Sequence, residues 1–123
     1  MKKIVLGGLL AACVVAAAAP NTMEPEQLGG EMEQVRKKAL AGDYRAQRNL
    51  AHAYSTGEQL QGKRFPVAGC AWYLSIAYLN AENFNVSDSG NIHATCNALP
   101  PEQFYAAVRY SAAIVNAARR LGD

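Results

Sequence analysis

From residue 31 onward, apolar side chains recur at helical spacing, and no stretch alternates with the period of two that a half-buried strand requires. Met32, Val35 and Ala39 fall at i, i+3 and i+7 and predict a first helix over 31–41. Ala46, Leu50, Ala53 and Tyr54 predict a second, from Tyr44 to Ser55. Ala68, Ala71, Trp72, Ser75 and Leu79 mark one face of a third, from Pro66 to Leu79. A short helix, Asn91 to Ala98, and a long one, Glu102 to Leu121, complete the set. The last carries a stripe of Phe104, Ala107, Val108, Ser111, Val115 and Ala118. The predicted fold class is all-α.

Polar and special residues punctuate these stripes where helices need them. Glu31 and Glu33 open the first helix and Lys37 and Lys38 close it, the order that the helix dipole favours. Gly42 is placed to end that helix, and Asp43 to cap the next through its carboxylate. Gly57 ends the second helix and begins a loop through Phe65. Pro66 and Pro101 suit first turns, where a missing N–H costs nothing. Asn80 to Gly90 is rich in Asn, Ser, Asp and Gly and reads as an exposed loop.

The first thirty residues belong to a different pattern. Lys2 and Lys3 precede an uncharged apolar and small-residue run from Ile4 to Ala19, the layout of a secretory signal peptide. The predicted organisation is a signal peptide at 1–19, a tether at 20–30 and a helical domain at 31–123. Ala16-Ala17-Ala18 offers an ordinary cleavage site and a periplasmic product. Leu10-Ala11-Ala12-Cys13 resembles a lipobox, and the alternative is a lipoprotein attached to a membrane through Cys13.

Export changes how charge and cysteines are read. Without Lys2 and Lys3, 10 basic side chains balance 10 acidic ones. That balance removes the general attraction for nucleic acid or anionic lipid. Cys70 and Cys96 remain as a pair in an oxidising compartment, where a disulfide is expected. A competing use is a metal site, with His93-x-x-Cys96 joined by Cys70.

Residues 39–77 carry a more specific pattern: Gly42-Asp43, Ala46-Gln47, Leu50, Tyr54 and Gly57, then Ala68 and Trp72-Tyr73 after a loop. This window resembles a Sel-one-like repeat, a helix–loop–helix relative of the tetratricopeptide repeats. The resemblance implies a packed pair over about 43–79 with Ala46, Leu50, Tyr54, Gly57, Ala68 and Trp72 as its structural core. The loop runs longer than usual, its Gly-x-Gly signature is absent, and no second full copy follows. The flanking helices are therefore expected to cover the faces that neighbouring repeats would bury.

Catalytic chemistry is sparse. His52 and His93 are the two histidines, no nucleophile-elbow or phosphate-loop glycine pattern occurs, and most acidic residues sit where helix starts explain them. The expectation is a non-enzyme without cofactor or bound metal: a small exported module of the bacterial envelope that binds another protein. An inhibitor or immunity-type protein that blocks a secreted hydrolase is the alternative. Arg45, Arg48 and His52 lie off the core stripe of the second helix. In related solenoids the first helix of a pair faces the ligand, so the resemblance implies that these three meet a partner. Guanidinium groups would suit an acidic segment.

Overall fold

The computed structural model describes residues 28–122. The predicted leader, Cys13 and most of the tether lie outside the described residues. Within them the chain forms α1 (Gly30–Leu40), α2 (Tyr44–Thr56), α3 (Pro66–Leu79), α4 (Val86–Cys96) and α5 (Pro101–Gly122). The described residues contain no strand, and the architecture is all-α. No helix among them is long and apolar enough to cross a membrane.

Helix α3 is the centre of the packing. It lies against α2 on one side, α5 on another and α4 on a third, while α1 covers α2 and touches α5. Every residue from Val67 to Ile76 except Leu74 is buried, so the single apolar face predicted for this helix is nearly a full circumference. Leu79, assigned to that face, is only partly buried. A helix enclosed by three others loses its amphipathic stripe for this reason.

The α2–α3 connection shows why glycine is needed. Gly57 adopts φ 85° at the C-cap of α2, with its N–H bonded to the Ala53 carbonyl at 2.8 Å. A Cβ there would meet the Gly62 carbonyl carbon at 2.6 Å. Gly69 on α3 faces the last turn of α2, where a Cβ would lie 3.2 Å from the Ser55 Cα. Two backbones therefore approach closely where one side chain is missing. Leu50, Tyr54, Ala68 and Trp72 are all at most 1 % exposed, and Ala46 is buried beside them. The Trp72 indole N–H has no hydrogen-bond partner among the described residues.

A buried amide network joins three helices. Gln47, fully buried, donates to the Ala39 carbonyl at the end of α1 (3.0 Å) and accepts from Asn80 Nδ2 at 2.7 Å. Asn80, at the C-cap of α3, also donates to the Gly42 carbonyl at 3.1 Å. These bonds add side-chain donors to carbonyls at and just beyond the end of α1, where Ala39 also accepts from the Gly42 N–H at 3.2 Å.

Two elements differ from the sequence reading. The predicted loop over 80–90 ends early, because α4 starts at Val86 and stops at Cys96 rather than running from Asn91 to Ala98. Its start is fixed by a capping box. The Asn85 side chain accepts from the Ser87 and Asp88 amides, and the Asp88 carboxylate accepts from the Asn85 N–H at 3.1 Å. The polar composition that suggested a loop is the capping chemistry of a helix. On α5, the buried residues are Ala107, Ser111, Ile114 and Val115, whereas Phe104 and Val108 are each 41 % exposed. Ala107 and Ser111 are small enough to let α5 lie close on α3, and Ser111 hydrogen-bonds Ser75 at 2.9 Å. The buried face of α5 is thus rotated away from Phe104 and Val108, towards Ala107, Ser111, Ile114 and Val115.

Candidate functional site

Helix α2 turns Ala46, Gln47, Leu50 and Tyr54 inward. Helical geometry therefore carries Arg45, Arg48, Asn49 and His52 round to the side where α4 passes. There α2, α3 and α4 enclose a polar cleft of about 540 Å³. Arg45, Arg48, Asn49 and His52 form one wall and Asn91 of α4 belongs to the other, with Tyr73 of α3 and Tyr44 completing the lining. The structure thus brings the three residues singled out in the sequence into one concavity.

It gives them unequal circumstances. Arg48 is committed: its Nε lies 3.2 Å from Asp88 Oδ1, its Nη2 donates to Ser87 Oγ at 3.2 Å, and its guanidinium lies 5.8 Å from the Tyr44 ring centroid. The Nε–Oδ1 contact is an ion pair without a directed hydrogen bond. His52 Nε2 sits 3.2 Å from Glu58 Oε1. Arg45 is exposed and has no ion pair among the described residues. A spare positive surface therefore reduces to Arg45 plus what Arg48 has left.

Asp88 organises the α4 side of the cleft and was not visible in the sequence as a functional candidate. Its carboxylate is 0 % exposed, and Oδ2 accepts from the Tyr44 hydroxyl at 2.6 Å. Asn85 Nδ2 donates to the Tyr44 oxygen at 3.1 Å, closing a small ring between α2 and α4. The hydrogen bond to Asp88 is the main cause that pushes the Tyr44 hydroxyl above the ordinary tyrosine value of 10.0, with loss of solvent second. The same carboxylate could have been found from Asn85-Val86-Ser87-Asp88, whose i, i+3 spacing is a capping box. That register also puts Asn91 three residues after Asp88 on the same helical face.

Tyr73 is the other missed residue. It is 5 % exposed and lines the cleft, and its hydroxyl makes no hydrogen bond among the described residues. Unlike the Trp72 N–H, that hydroxyl is not sealed from solvent. Burial raises its pKa above 10.0, with the Arg48 charge acting in the opposite direction.

Cys70 and Cys96 form a disulfide, with Cα atoms 5.1 Å apart and a sequence separation of 26. The bond consumes both thiols, so the alternative metal set of His93, Cys96 and Cys70 loses its thiolates. His93 is exposed, with Nδ1 3.0 Å from Asn97 Nδ2. Among the described residues no group of three His, Cys, Asp or Glu could hold a metal ion. A second groove, of about 470 Å³, runs between α3 and α5 and is mainly apolar, with Leu74, Tyr78, Val108 and Val115 in its walls.

No family model matches this chain, and no curated protein or solved structure does either.

Proposed function

We propose that this chain is an exported, non-catalytic protein-binding module of the bacterial envelope, built on a Sel-one-like helix pair, with the cleft along α2 as its binding surface. The observation that carries the reading is the set of polar groups around one concavity that have no partner among the described residues: Arg45, Asn49, Asn91 and the Tyr73 hydroxyl. Polar groups that make no internal bonds stabilise nothing in the free protein, and their convergence in a concave site is what ligand recognition requires. The repeat assignment is supported by the burial of Leu50, Tyr54, Ala68 and Trp72 in the α2–α3 pair and by the left-handed Gly57 between them. Export is supported by the leader composition and by the disulfide, which belongs to oxidising compartments.

The test is site-directed photo-crosslinking in the envelope, from position 52 beside the cleft and from position 102 at the start of α5. The expected result is a discrete adduct from position 52 that Arg45→Glu abolishes, with none from position 102. Identical adducts from both positions would sink the assignment of the surface. Mass spectrometry of the same material tests export. A mature start near Ala19 or Pro20, or a lipid-modified Cys13, is expected, and an intact Met1 in the envelope fraction would defeat it.

A further inference from the structure

The chemistry of the cleft is one-sided. The Tyr73 and Arg45 side chains bring hydrogen-bond donors, Arg48 brings those that its ion pair with Asp88 and its bond to Ser87 leave over, and Asn49 and Asn91 each add an amide. Of the two carboxylates that touch lining residues, Asp88 is fully buried and already faces Arg48 and the Tyr44 hydroxyl, and Glu58 lies against His52, so neither is offered to a ligand. Asp88 offsets Arg48, Glu58 lies against His52 at one edge, and Arg45 is the lining cation that has no ion pair among the described residues. One uncompensated charge with an excess of donors fits a singly charged acceptor group. A phosphate monoester, at nearly two negative charges, would be left in excess.

We propose that the cleft is a carboxylate-binding subsite, in which the Tyr73 hydroxyl and the Arg45 guanidinium hold one carboxylate group of a peptide ligand and the Asn49 and Asn91 amides flank it. This rests on the cleft being the binding surface, and it adds what the surface reads. Tyr73 is the more telling of the two residues. Its ring is fixed in the core of α3, so its hydroxyl is held in place before any ligand arrives. A preplaced neutral donor in the same cleft as a guanidinium adds direction to charge, which a surface arginine alone does not supply. The two sources of such a group are a chain-terminal carboxylate and an Asp or Glu side chain.

Binding is read by amide chemical shifts of the isotope-labelled full-length mature protein, with four probes: acetyl-Ala-Ala-Ala with a free terminal carboxylate, its carboxamide, acetyl-Ala-Glu-Ala carboxamide, and inorganic phosphate. The expected result is saturable shifts around Tyr73 and Asn91 with one or both carboxylate peptides and none with the neutral carboxamide. Whichever carboxylate peptide binds names the source. Tyr73→Phe should melt like wild type, because the hydroxyl has no partner among the described residues, yet bind roughly tenfold more weakly, as loss of one bond to a charged acceptor predicts. Arg45→Gln, at an exposed position, should weaken binding similarly without affecting folding. Equal shifts from the carboxamide, tighter binding of phosphate, or unchanged affinity in Tyr73→Phe would each overturn the inference. Carboxylate binding without a crosslinked partner would instead discard the partner-binding reading and leave the subsite standing. A crosslinked partner that depends on Arg45, with no response to any carboxylate probe, would do the reverse.

Discussion

Asp88→Asn is the sharpest single perturbation of this molecule, because α4 buries only two residues, Asp88 near its start and Cys96 at its end. The helix has no apolar stripe to hold it and is fastened at both ends by other means. The substitution keeps the volume and removes the charge. The bonds from the Tyr44 hydroxyl and the Asn85 N–H become neutral ones, each losing about 1 kcal/mol. The ion pair with Arg48 disappears, and because Arg48 is 36 % exposed its loss is worth at most about 1 kcal/mol. The total is about 3 kcal/mol, or roughly a hundredfold in a local opening equilibrium. The disulfide still ties Cys96 to α3, so the first turns of α4 should open alone. Native-state hydrogen exchange should show amides at 89–93 exchanging roughly a hundredfold faster, with those at 70–76 in α3 slowed or accelerated by less than a few-fold. Unchanged exchange at 89–93 would refute the reasoning. Equal acceleration in α3 would show that α4 does not open as a unit.

Removing the disulfide with Cys70→Ser and Cys96→Ser should lower stability by up to about 3.5 kcal/mol from loop entropy, measured by denaturant unfolding, and an unchanged midpoint would count against it. Gln47→Leu should cost about 1–3 kcal/mol, since an Asn80 amide hydrogen loses its acceptor inside the core and the Ala39 carbonyl keeps only its bond from the Gly42 N–H; a neutral effect would mean that water replaces the amide. Gly69→Ala gains helix propensity of about 1 kcal/mol but forces α3 from α2 at Ser55, so a net loss of melting temperature is expected and a gain would contradict the close approach. At alkaline pH, the raised Tyr44 pKa means that the folded state holds its proton more tightly than the unfolded chain. That contribution is complete below pH 10 and fades as pH rises through the folded value, and Asp88→Asn should move the tyrosinate absorbance transition of Tyr44 down towards 10.0.

Local chemistry determined the helices and little about their assembly. Asp43 accepts the Ala46 amide as its position before α2 implied, Gly57 turns left-handed after it, Pro66 and Pro101 open helices, and the even cysteine pair is bonded. Each of those outcomes depends on residues within a turn of one another, or on the parity of two cysteines. The same local rule operates at Asn85–Asp88, where a composition typical of loops carries the spacing that caps a helix. What no local pattern could decide is which polar side chains enter the interior. Gln47 is buried because Asn80 and the Ala39 carbonyl come to it from other helices, Ser111 because Ser75 does, and Asp88 because Tyr44 and Arg48 arrive from 44 and 40 residues away. The cleft has the same origin. Arg45 and His52 could be placed together on one face of α2 from their spacing, but Tyr73 and Asn91 joined them only when α3 and α4 packed alongside. A buried polar group is stable only with a partner, and here the partners are supplied by tertiary structure.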